Sequence, residues 1–309
     1  MKNIIRISIL IILAVAAYSL VPVAALYLGP DASPYTNARA VEKLRADTGD
    51  RFEFIVLGDN HAGLIFNDSA ALKLIRNINR EERFMKMPVD FVAIAGDETF
   101  QGSEWDYRIF NRLRSRVRWP VICTTGNHDD DRGGAERFEK NMGKREFAFS
   151  NRNAYFIFLD NSSGDLTEGQ FSWLEEELKK AQVFRHTFIV MHKTPLSPYQ
   201  QSWFRPATGP WSYRFMKLCE KYRVEMVFSG HEHMFKELVH GGVKYITSGG
   251  GGILTHLPAY DGGYLHYLVV RVYGDYVDYE VRKVGAPFWE FLAYYMWKDL
   301  FYLVKDILL

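Results

Sequence analysis

The ten residues FEFIVLGDNH, at positions 52–61, contain the pattern that decides the fold. Five of the first six side chains are apolar, and such a short apolar run is typical of a strand buried inside a sheet. Gly58 interrupts the run, and three polar residues follow it at once. A glycine here allows a sharp turn and a close backbone approach. The stretch therefore predicts a buried strand that delivers polar side chains at its carboxyl end.

The same arrangement recurs at the ends of four more apolar runs. In chain order, the polar groups are Asp59-Asn60-His61, Gly96-Asp97, Gly126-Asn127-His128-Asp129, His192 and Gly230-His231-Glu232-His233. Five of the nine histidines of the chain fall in these segments. In open α/β sheets, ligands bind outside the carboxyl ends of the strands. We therefore expect the five segments to lie together and to form one site.

The side chains in these segments are typical metal ligands. Imidazole, carboxylate and amide oxygen suit zinc, manganese or iron, and no thiolate is among them. Seven potential ligands exceed what one tetrahedral ion takes, whereas two ions that share one carboxylate would use them evenly. Two ions about 3.5–4 Å apart can clamp a phosphoryl group and activate water. The pattern therefore predicts a two-metal site.

This series of motifs resembles that of the calcineurin-like metallophosphoesterases, a superfamily that includes the purple acid phosphatases. The resemblance extends over about residues 52–284, with the five motifs in order. It implies a layered α/β fold, namely an α/β/β/α double β-sandwich flanked by helices. It also implies metal-dependent hydrolysis of phosphoester bonds. Monoester, diester and pyrophosphate substrates all fit these motifs, because specificity lies in loops outside them.

The resemblance also implies a role for each motif residue. The first of two divalent or trivalent ions (Mn, Fe or Zn) would be held by Asp59, His61, Asp97 and His233. The second would be held by Asp97, Asn127, His192 and His231, so that Asp97 bridges the two. A hydroxide between the ions would attack phosphorus in line. His128 would hold a phosphate oxygen and protonate the leaving group as general acid, and Asp129 would orient its imidazole.

One residue departs from the purple acid phosphatase pattern. Phe100 stands where those enzymes have a metal-binding tyrosine. A phenylalanine cannot ligate, whereas His61 is available to the first metal. The sequence therefore argues against a ferric-tyrosinate site.

The body of the chain alternates short apolar runs with helical patterns, which indicates a layered α/β domain over residues 51–284. The apolar runs predict strands at residues 52–57, 89–95, 121–125, 154–159, 186–191, 224–229, 235–242, 243–248, 264–272 and 276–284. Helical spacing predicts helices at about residues 68–86, 104–117, 167–181 and 211–222. Thr167 with Gln170 indicates a capping box at the third helix. Residues 29–50 are interpreted as a linker and a lead-in helix.

The first 28 residues predict a membrane segment. Residues 7–28 form a run of 22 residues without a charge, preceded by Lys2 and Arg6. A spanning helix needs roughly 20 apolar residues, whereas the apolar part of a signal peptide usually has about 7 to 15. A buried helix of the core is one further interpretation of this run. Length favours an uncleaved, single-pass signal anchor, and a cleaved signal peptide on a secreted soluble phosphatase is the main alternative. The two positive charges predict an extracytoplasmic catalytic domain in either case.

The C-terminal residues 285–309 predict an amphipathic helix. Aromatic and aliphatic residues share one side at helical spacing, and Lys298, Asp299, Lys305 and Asp306 share the other. One interpretation is a helix that covers the catalytic domain, and the other is an interfacial helix that lies on the membrane.

The composition limits the class of protein. With 38 basic and 37 acidic residues the formal charge is +1, so no chain-wide basic surface for nucleic acid is expected. Two cysteines, Cys123 and Cys219, exclude a disulfide-dense scaffold, and both are expected to be buried apolar residues. The expected partner is a phosphoester substrate, and the apolar chain ends raise lipid-linked phosphates as a substrate class. A non-catalytic metal-binding or interaction module is the alternative, against which His128 and the complete ligand set argue.

Three further features have two interpretations each. Asp160 either supports a histidine ligand or opens a turn, and the glycines at 249–252 either bring backbone close to the substrate or form a tight loop. The segment 197–211 either forms a substrate mouth or packs on the domain. His256 is a candidate for the edge of the site.

Overall fold

Two β-sheets packed face to face form the centre of the molecule. The computed structural model describes residues 21–44, 49–81, 87, 89–196, 209–253, 255 and 259–285. Helices pack on the outer face of each sheet, and a separate apolar cluster fills each of these two interfaces. A third cluster lies between the sheets, so that the layers run helix, sheet, sheet, helix. This confirms the two-sheet α/β fold predicted from the sequence.

Five strands form the first sheet. They are β1 (Arg51–Leu57), β2 (Val89–Ile94), β3 (Val121–Cys123), β10 (His266–Tyr273) and β11 (Tyr276–Lys283). Their order across the sheet is β11-β10-β1-β2-β3. β1, β2 and β3 are parallel, whereas β10 runs antiparallel to β1. Three neighbouring carboxyl ends therefore meet at one edge.

Six strands form the second sheet. They are β4 (Phe147–Asn151), β5 (Ala154–Phe158), β6 (His186–Val190), β7 (Met226–Ser229), β8 (Phe235–His240) and β9 (Val243–Ser248). The order is β4-β5-β6-β7-β9-β8, with β5, β6, β7 and β9 parallel. The two outer strands, β4 and β8, pair antiparallel with their neighbours.

The helices connect the strands and cover the sheets. They are α1 (residues 21–28), α2 (Asn37–Glu42), α3 (Ile65–Glu81), α4 (Glu104–Arg114), α5 (Gly134–Met142), α6 (Glu168–Ala181) and α7 (Pro210–Lys221). α1, α3, α4 and α5 pack on the first sheet, and α6 and α7 pack on the second. Strands covered on both faces explain the nearly continuous apolar runs in the sequence.

Phenylalanine rings fill the space between the sheets. The ring of Phe54 on β1 stacks on Phe91 at a centroid distance of 5.3 Å. It meets Phe156, Phe188 and Phe228 of the opposite sheet edge-on, at 5.2, 5.2 and 5.9 Å. Edge-to-face rings at such distances contribute energy beyond the burial of their area. The core therefore fixes the two sheets, and the strand ends on them, relative to each other.

The sequence missed two short elements. β4 has only five residues and follows a charged stretch, and α5 has nine residues with Phe138 and Met142 as its buried apolar side chains. β4 has Phe149 as its one buried apolar side chain and so lacks a continuous apolar run. A helix is recognised from periodicity over roughly 10–12 residues or more, which α5 does not reach. The predicted capping box is confirmed, because the Thr167 hydroxyl accepts from the Gln170 backbone N–H and the Gln170 side chain accepts from the Thr167 backbone N–H.

The two chain ends lie mostly outside the described residues. Residues 1–20 hold most of the predicted anchor, and residues 286–309 hold the predicted amphipathic helix, so both remain predictions. Within the described ranges, no helix is long and apolar enough to cross a bilayer. Cys123 and Cys219 are both fully buried and unpaired, as expected.

Replacing the central ring of the core is expected to destabilise the fold strongly. Phe54→Ala should lower the free energy of unfolding by about 3–5 kcal/mol, because it removes a fully buried ring and leaves a cavity. Tyr276→Ala is the matched control, since this ring is 77% exposed. Urea unfolding measures both, and a loss in Phe54→Ala no larger than in the control would contradict the central role of this ring.

Candidate metal centre

The polar segments that follow five strands meet at one edge of the two sheets. β1, β2 and β3 carry the segments that start at Gly58, Gly96 and Gly126, and β6 and β7 carry His192 and the segment that starts at Gly230. Within each sheet, backbone hydrogen bonds join the segments, from Asp59 N to Gly96 O at 3.0 Å and from Gly230 N to His192 O at 2.9 Å. Between the sheets, the backbone N–H of His231 donates to Asp59 Oδ2 at 2.9 Å. The edge is therefore one continuous site that both sheets build.

The potential ligand atoms form two groups that share one carboxylate. In the first group, the donor atoms lie within 4.8 Å of one another, and the residues are Asp59, His61, Asp97 and His233. The second group meets the same limit with Asp97, His192 and His231. Asn127 Oδ1 lies 3.1 Å from His192 Nε2, at the second group. The structure thus brings all seven residues singled out in the sequence together.

The donor set fits bound cations. His61 Nε2 is 3.4 Å from Asp97 Oδ2 and 3.8 Å from Asp59 Oδ1, so the atoms face one another without direct hydrogen bonds. The His61 side chain is fully buried, and neither ring nitrogen has a hydrogen-bond partner. Buried polar atoms are nearly always satisfied, and a metal ion satisfies such a nitrogen.

Backbone strain is concentrated in the same residues. Seven described non-glycine residues have positive φ, and five of them are in the ligand set: Asp59 (64°), His61 (47°), Asp97 (54°), His231 (69°) and His233 (31°). This conformation is uncommon outside glycine, although aspartate and histidine adopt it more readily than other residues do. Strain of this kind clusters at functional sites. It turns side chains of neighbouring loops toward a common point.

Two glycines leave the room that the ligands occupy. A Cβ at Gly96, where φ is 81°, would lie 2.5 Å from Nδ1 of His192. A Cβ at Gly230 would lie 2.4 Å from Oδ2 of Asp59. The glycines in the strand-end motifs are thus required because ligand side chains pass directly against their backbone.

Hydrogen bonds to its ring and its backbone hold His192 in place. Nδ1 lies 2.8 Å from Ala95 O and donates to it, which leaves Nε2 facing Asp97 Oδ2 at 3.3 Å. The backbone N–H of His192 donates to Asn161 Oδ1 at 2.9 Å. From the sequence, Asp160 was one candidate for supporting a histidine ligand. The structure instead gives Asp160 an ion pair with Arg145 and a turn closed by Ser162 N, and Asn161 supports the histidine.

The geometry around His128 differs from the expected one. Its Nδ1 lies 2.7 Å from Phe100 O, so a backbone carbonyl orients the imidazole, not Asp129. Asp129 is fully buried and accepts from Thr99 N at 2.9 Å, Thr99 Oγ1 at 2.7 Å and Gly126 N at 2.9 Å. The carboxylate therefore joins the loops that follow β2 and β3, and supports His128 only through their backbone.

The electrostatics of the cluster favour a shared, ionised carboxylate. Burial tends to raise the pKa of Asp97, but His192 and His61 outweigh burial and hold this pKa well below its usual range. Burial tends to lower the pKa of His192, but Asp97 outweighs it and raises this pKa to about 9. Burial lowers the pKa of His231 to about 3, so that its imidazole is neutral and can ligate.

The glycines at 249–252 support a ligand loop. Gly251 N donates to Gly58 O at 2.8 Å, and Asn60 Nδ2 donates to Gly251 O at 2.7 Å. They therefore fix the loop that carries Asp59. His256 and residues 197–208, including Tyr199, Trp203, Phe204 and Arg205, lie outside the described residues, and their predicted roles stay predictions.

Comparison with known proteins identifies a family and relatives of stated activity. A family model described as calcineurin-like phosphoesterase matches residues 52–235. A probable cyclic nucleotide phosphodiesterase of Ruthia magnifica subsp. Calyptogena magnifica is 23% identical over 229 residues, which are 69% of this chain and 95% of that protein. The glycerophosphodiester phosphodiesterase GpdQ of Enterobacter lignolyticus (strain SCF1) is 26% identical over 157 residues, which are 47% of this chain and 56% of that protein.

Solved structures share the fold. Purple acid phosphatase PPD1 from yellow lupin superposes with a TM-score of 0.61 at 14% identity, over 81% of this chain and 53% of that one. GAP50, the anchor in the inner membrane complex of Plasmodium, superposes with a TM-score of 0.60 at 16% identity, over 76% of this chain and 85% of that one. At these identities, the likeness establishes the fold alone.

Adding a methyl group at Gly230 is expected to damage the metal centre. Gly230→Ala should weaken metal binding by about tenfold or more, because the Cβ would displace the Asp59 carboxylate. Gly169→Ala is the matched control, since the nearest atom to its Cβ is 3.8 Å away. Elemental analysis after dialysis against limiting metal measures both. Equal metal content in the two variants would show that Asp59 does not need this clearance.

Proposed function

Because this chain belongs to the calcineurin-like phosphoesterase family, and is therefore a phosphoric ester hydrolase, we propose that it hydrolyses phosphodiesters at a centre of two metal ions. The observation that carries the proposal is the division of the buried donor atoms into two groups that share Asp97. A single site with one ion would leave one of these groups without a role.

The proposed ligands follow this division. Asp59, His61 and His233 would complete the first site, and Asn127, His192 and His231 would complete the second, with Asp97 common to both. Bound ions would neutralise charge on the phosphoryl oxygens and lower the pKa of water at the site. Mn, Fe or Zn suits this set of imidazole and oxygen donors, and Phe100 offers no phenolate for a tyrosinate-bound ferric ion.

His128 is the proposed general acid. Phe100 O accepts from Nδ1, which leaves Nε2 to carry the proton for the leaving oxygen of the substrate. The backbone N–H of His128 donates to Asp97 Oδ1 at 2.9 Å. The acid is therefore attached to the shared ligand, and the two keep a fixed spacing.

Phosphodiesters are the proposed substrate class because of the relatives. The two curated proteins described above are named for phosphodiester substrates, a cyclic nucleotide and a glycerophosphodiester. The first of them aligns over nearly its whole length.

We also propose that the enzyme is membrane-anchored, with its catalytic domain outside the cytoplasm. The proposal is supported by the uncharged residues 7–20, which lead into α1, and by the two positive charges before them. A secreted form, cleaved within or after this run, is the alternative. Mass analysis of the mature chain distinguishes the two, because only the anchored form retains residues 7–28.

Metal removal is expected to abolish activity. Turnover of bis(p-nitrophenyl) phosphate should stop after chelation and return with Mn, Fe or Zn, with two ions bound per chain at full recovery. The value of kcat/KM should be higher for this diester than for p-nitrophenyl phosphate. Turnover that persists in the metal-free protein would contradict the metal mechanism, and a preference for the monoester would contradict the substrate class.

Replacing His128 is expected to remove the general acid and to leave the metals in place. His128→Asn should lower kcat by about 10²–10⁴-fold on an alkyl diester, with near-normal metal content. The loss should be smaller on bis(p-nitrophenyl) phosphate, because p-nitrophenolate departs without a proton. His240→Asn, at an exposed position at the end of β8, is the control. Equal losses on the two substrates would argue against an acid role.

A further inference from the structure

A group of exposed apolar residues lies at the same edge of the first sheet as the metal cluster. These residues, named here the apolar rim, are Leu28 (87% exposed), Leu64 (36%), Ile65 (50%), Phe66 (52%) and Trp105 (42%). Single exposed apolar side chains are ordinary, whereas a group at one place marks an interaction surface.

Tyr27 connects the parts of the rim. Its ring meets Trp105, in the first turn of α4, edge-on at a centroid distance of 5.5 Å. Its hydroxyl donates to Asp68 Oδ2, in the first turns of α3, at 2.5 Å. The end of α1, which carries Leu28, therefore lies against the beginnings of both helices. The rim is thus one surface and not a set of scattered residues.

The end of α1 is held firmly on the domain. Val23 and Leu26 are buried in the apolar cluster under α3 and α4. The guanidinium of Arg112 donates to the carbonyls of Leu26 and Tyr27 at 2.8 and 2.7 Å, and to Asp31 at 2.8 Å. A cation that binds the last carbonyls of a helix stabilises its C-terminal end. The C-terminal end of α1, which carries Leu28, is therefore fixed at the rim.

The rim is close to the metal ligands along the chain. Leu64 is three residues after His61, a distance of at most about 11 Å even in an extended chain. Gly63, between them, donates its N–H to Asp68 at 3.2 Å and passes against the side chain of Asp106 in α4. The loops that carry His61 and Asp97 thus continue directly into the helices that form the rim.

The two ends of the chain beyond the described residues are rich in apolar side chains, which favours a lipid surface as the partner of the rim. Residues 7–20 carry no charge and run directly into α1. At the other end, Gly285 O accepts from Lys73 Nζ on α3, and the aromatic-rich residues 286–309 follow from there. Both apolar ends of the chain therefore join the domain at helices of the rim. Trp105 and Tyr27 are of the residue types that are enriched at membrane interfaces.

We propose that the apolar rim inserts into the interfacial layer of a lipid bilayer and holds the metal cluster against the headgroups. Leu64, Ile65 and Phe66 enter the layer, with Trp105 and Tyr27 at headgroup depth. The proposal concerns the orientation of the site on the membrane and does not depend on the reaction proposed above.

Site-specific fluorescence quenching tests this proposal on the full chain. The chain is reconstituted into vesicles of phosphatidylcholine with a minority of phosphatidylglycerol, and Phe66→Cys is labelled with an environment-sensitive fluorophore. Both native cysteines are fully buried, so that labelling is selective for the new thiol. Tyr276→Cys is the matched control, since it is an exposed aromatic position beside the amino-terminal end of β1.

The expected result is a difference between the two positions. A doxyl-labelled lipid should reduce emission at residue 66 by about half or more and leave residue 276 unchanged, because interfacial side chains reach about 5–10 Å into the bilayer boundary. Iodide in the water should have the opposite effect. Equal access of iodide to both positions would overturn the proposal. A label at residue 66 that neither quencher reaches would also overturn it, because another segment of the chain would then cover the rim.

Discussion

The carboxylate of Asp97 is the constraint on which the rest of the site depends. Its Oδ2 lies 3.4 Å from His61 Nε2 and 3.3 Å from His192 Nε2, and its Oδ1 accepts the backbone N–H of His128. One side chain therefore touches both ligand groups and the segment of the proposed acid. A side chain can reach both ligand groups and the His128 segment only from the end of β2. This strand lies between β1 and β3 and faces the second sheet. The strand order determines this position.

The rigidity of the two sheets maintains backbone conformations that would otherwise relax. Residues held in sparsely populated regions cost on the order of 1–3 kcal/mol each, and five ligand residues have positive φ. The rings of Phe54, Phe156 and Phe188 lock the sheets together directly behind this edge. Backbone hydrogen bonds between the ligand loops fix each loop to its neighbour. The two sheets and the bonds between the loops therefore fix the backbone from which the candidate ligand side chains extend, as a preorganised site requires.

The candidate ligand residues could be recognised in the sequence, and the structure brings them together, because each one is local to a strand end. The pattern of an apolar run, a glycine and a polar residue can be recognised at Gly58 or Gly96 without knowledge of the fold. The supporting contacts could not be predicted in this way. Phe100 O and Asn161 are 28 and 31 residues from the histidines they hold, and only the pairing of strands brings them close. β4 and α5 were missed for another reason, because β4 lacks a continuous apolar run and α5 is too short to show helical periodicity.

The different partners of three buried aspartates explain why only two belong to the ligand set. Asp129 accepts three backbone N–H groups, from Glu98, Thr99 and Gly126, and one hydroxyl, so its charge is satisfied by the protein. Asp59 accepts one backbone N–H, that of His231, which lies within hydrogen-bond distance of both carboxylate oxygens. Asp97 accepts one backbone N–H, that of His128. A buried carboxylate with so few donors needs a positive charge nearby. Residue type alone cannot separate these roles, since Asp129 stands in the same kind of motif. The number of donors can, and it favours Asp59 and Asp97 as candidate cation ligands, whereas Asp129 joins the loops.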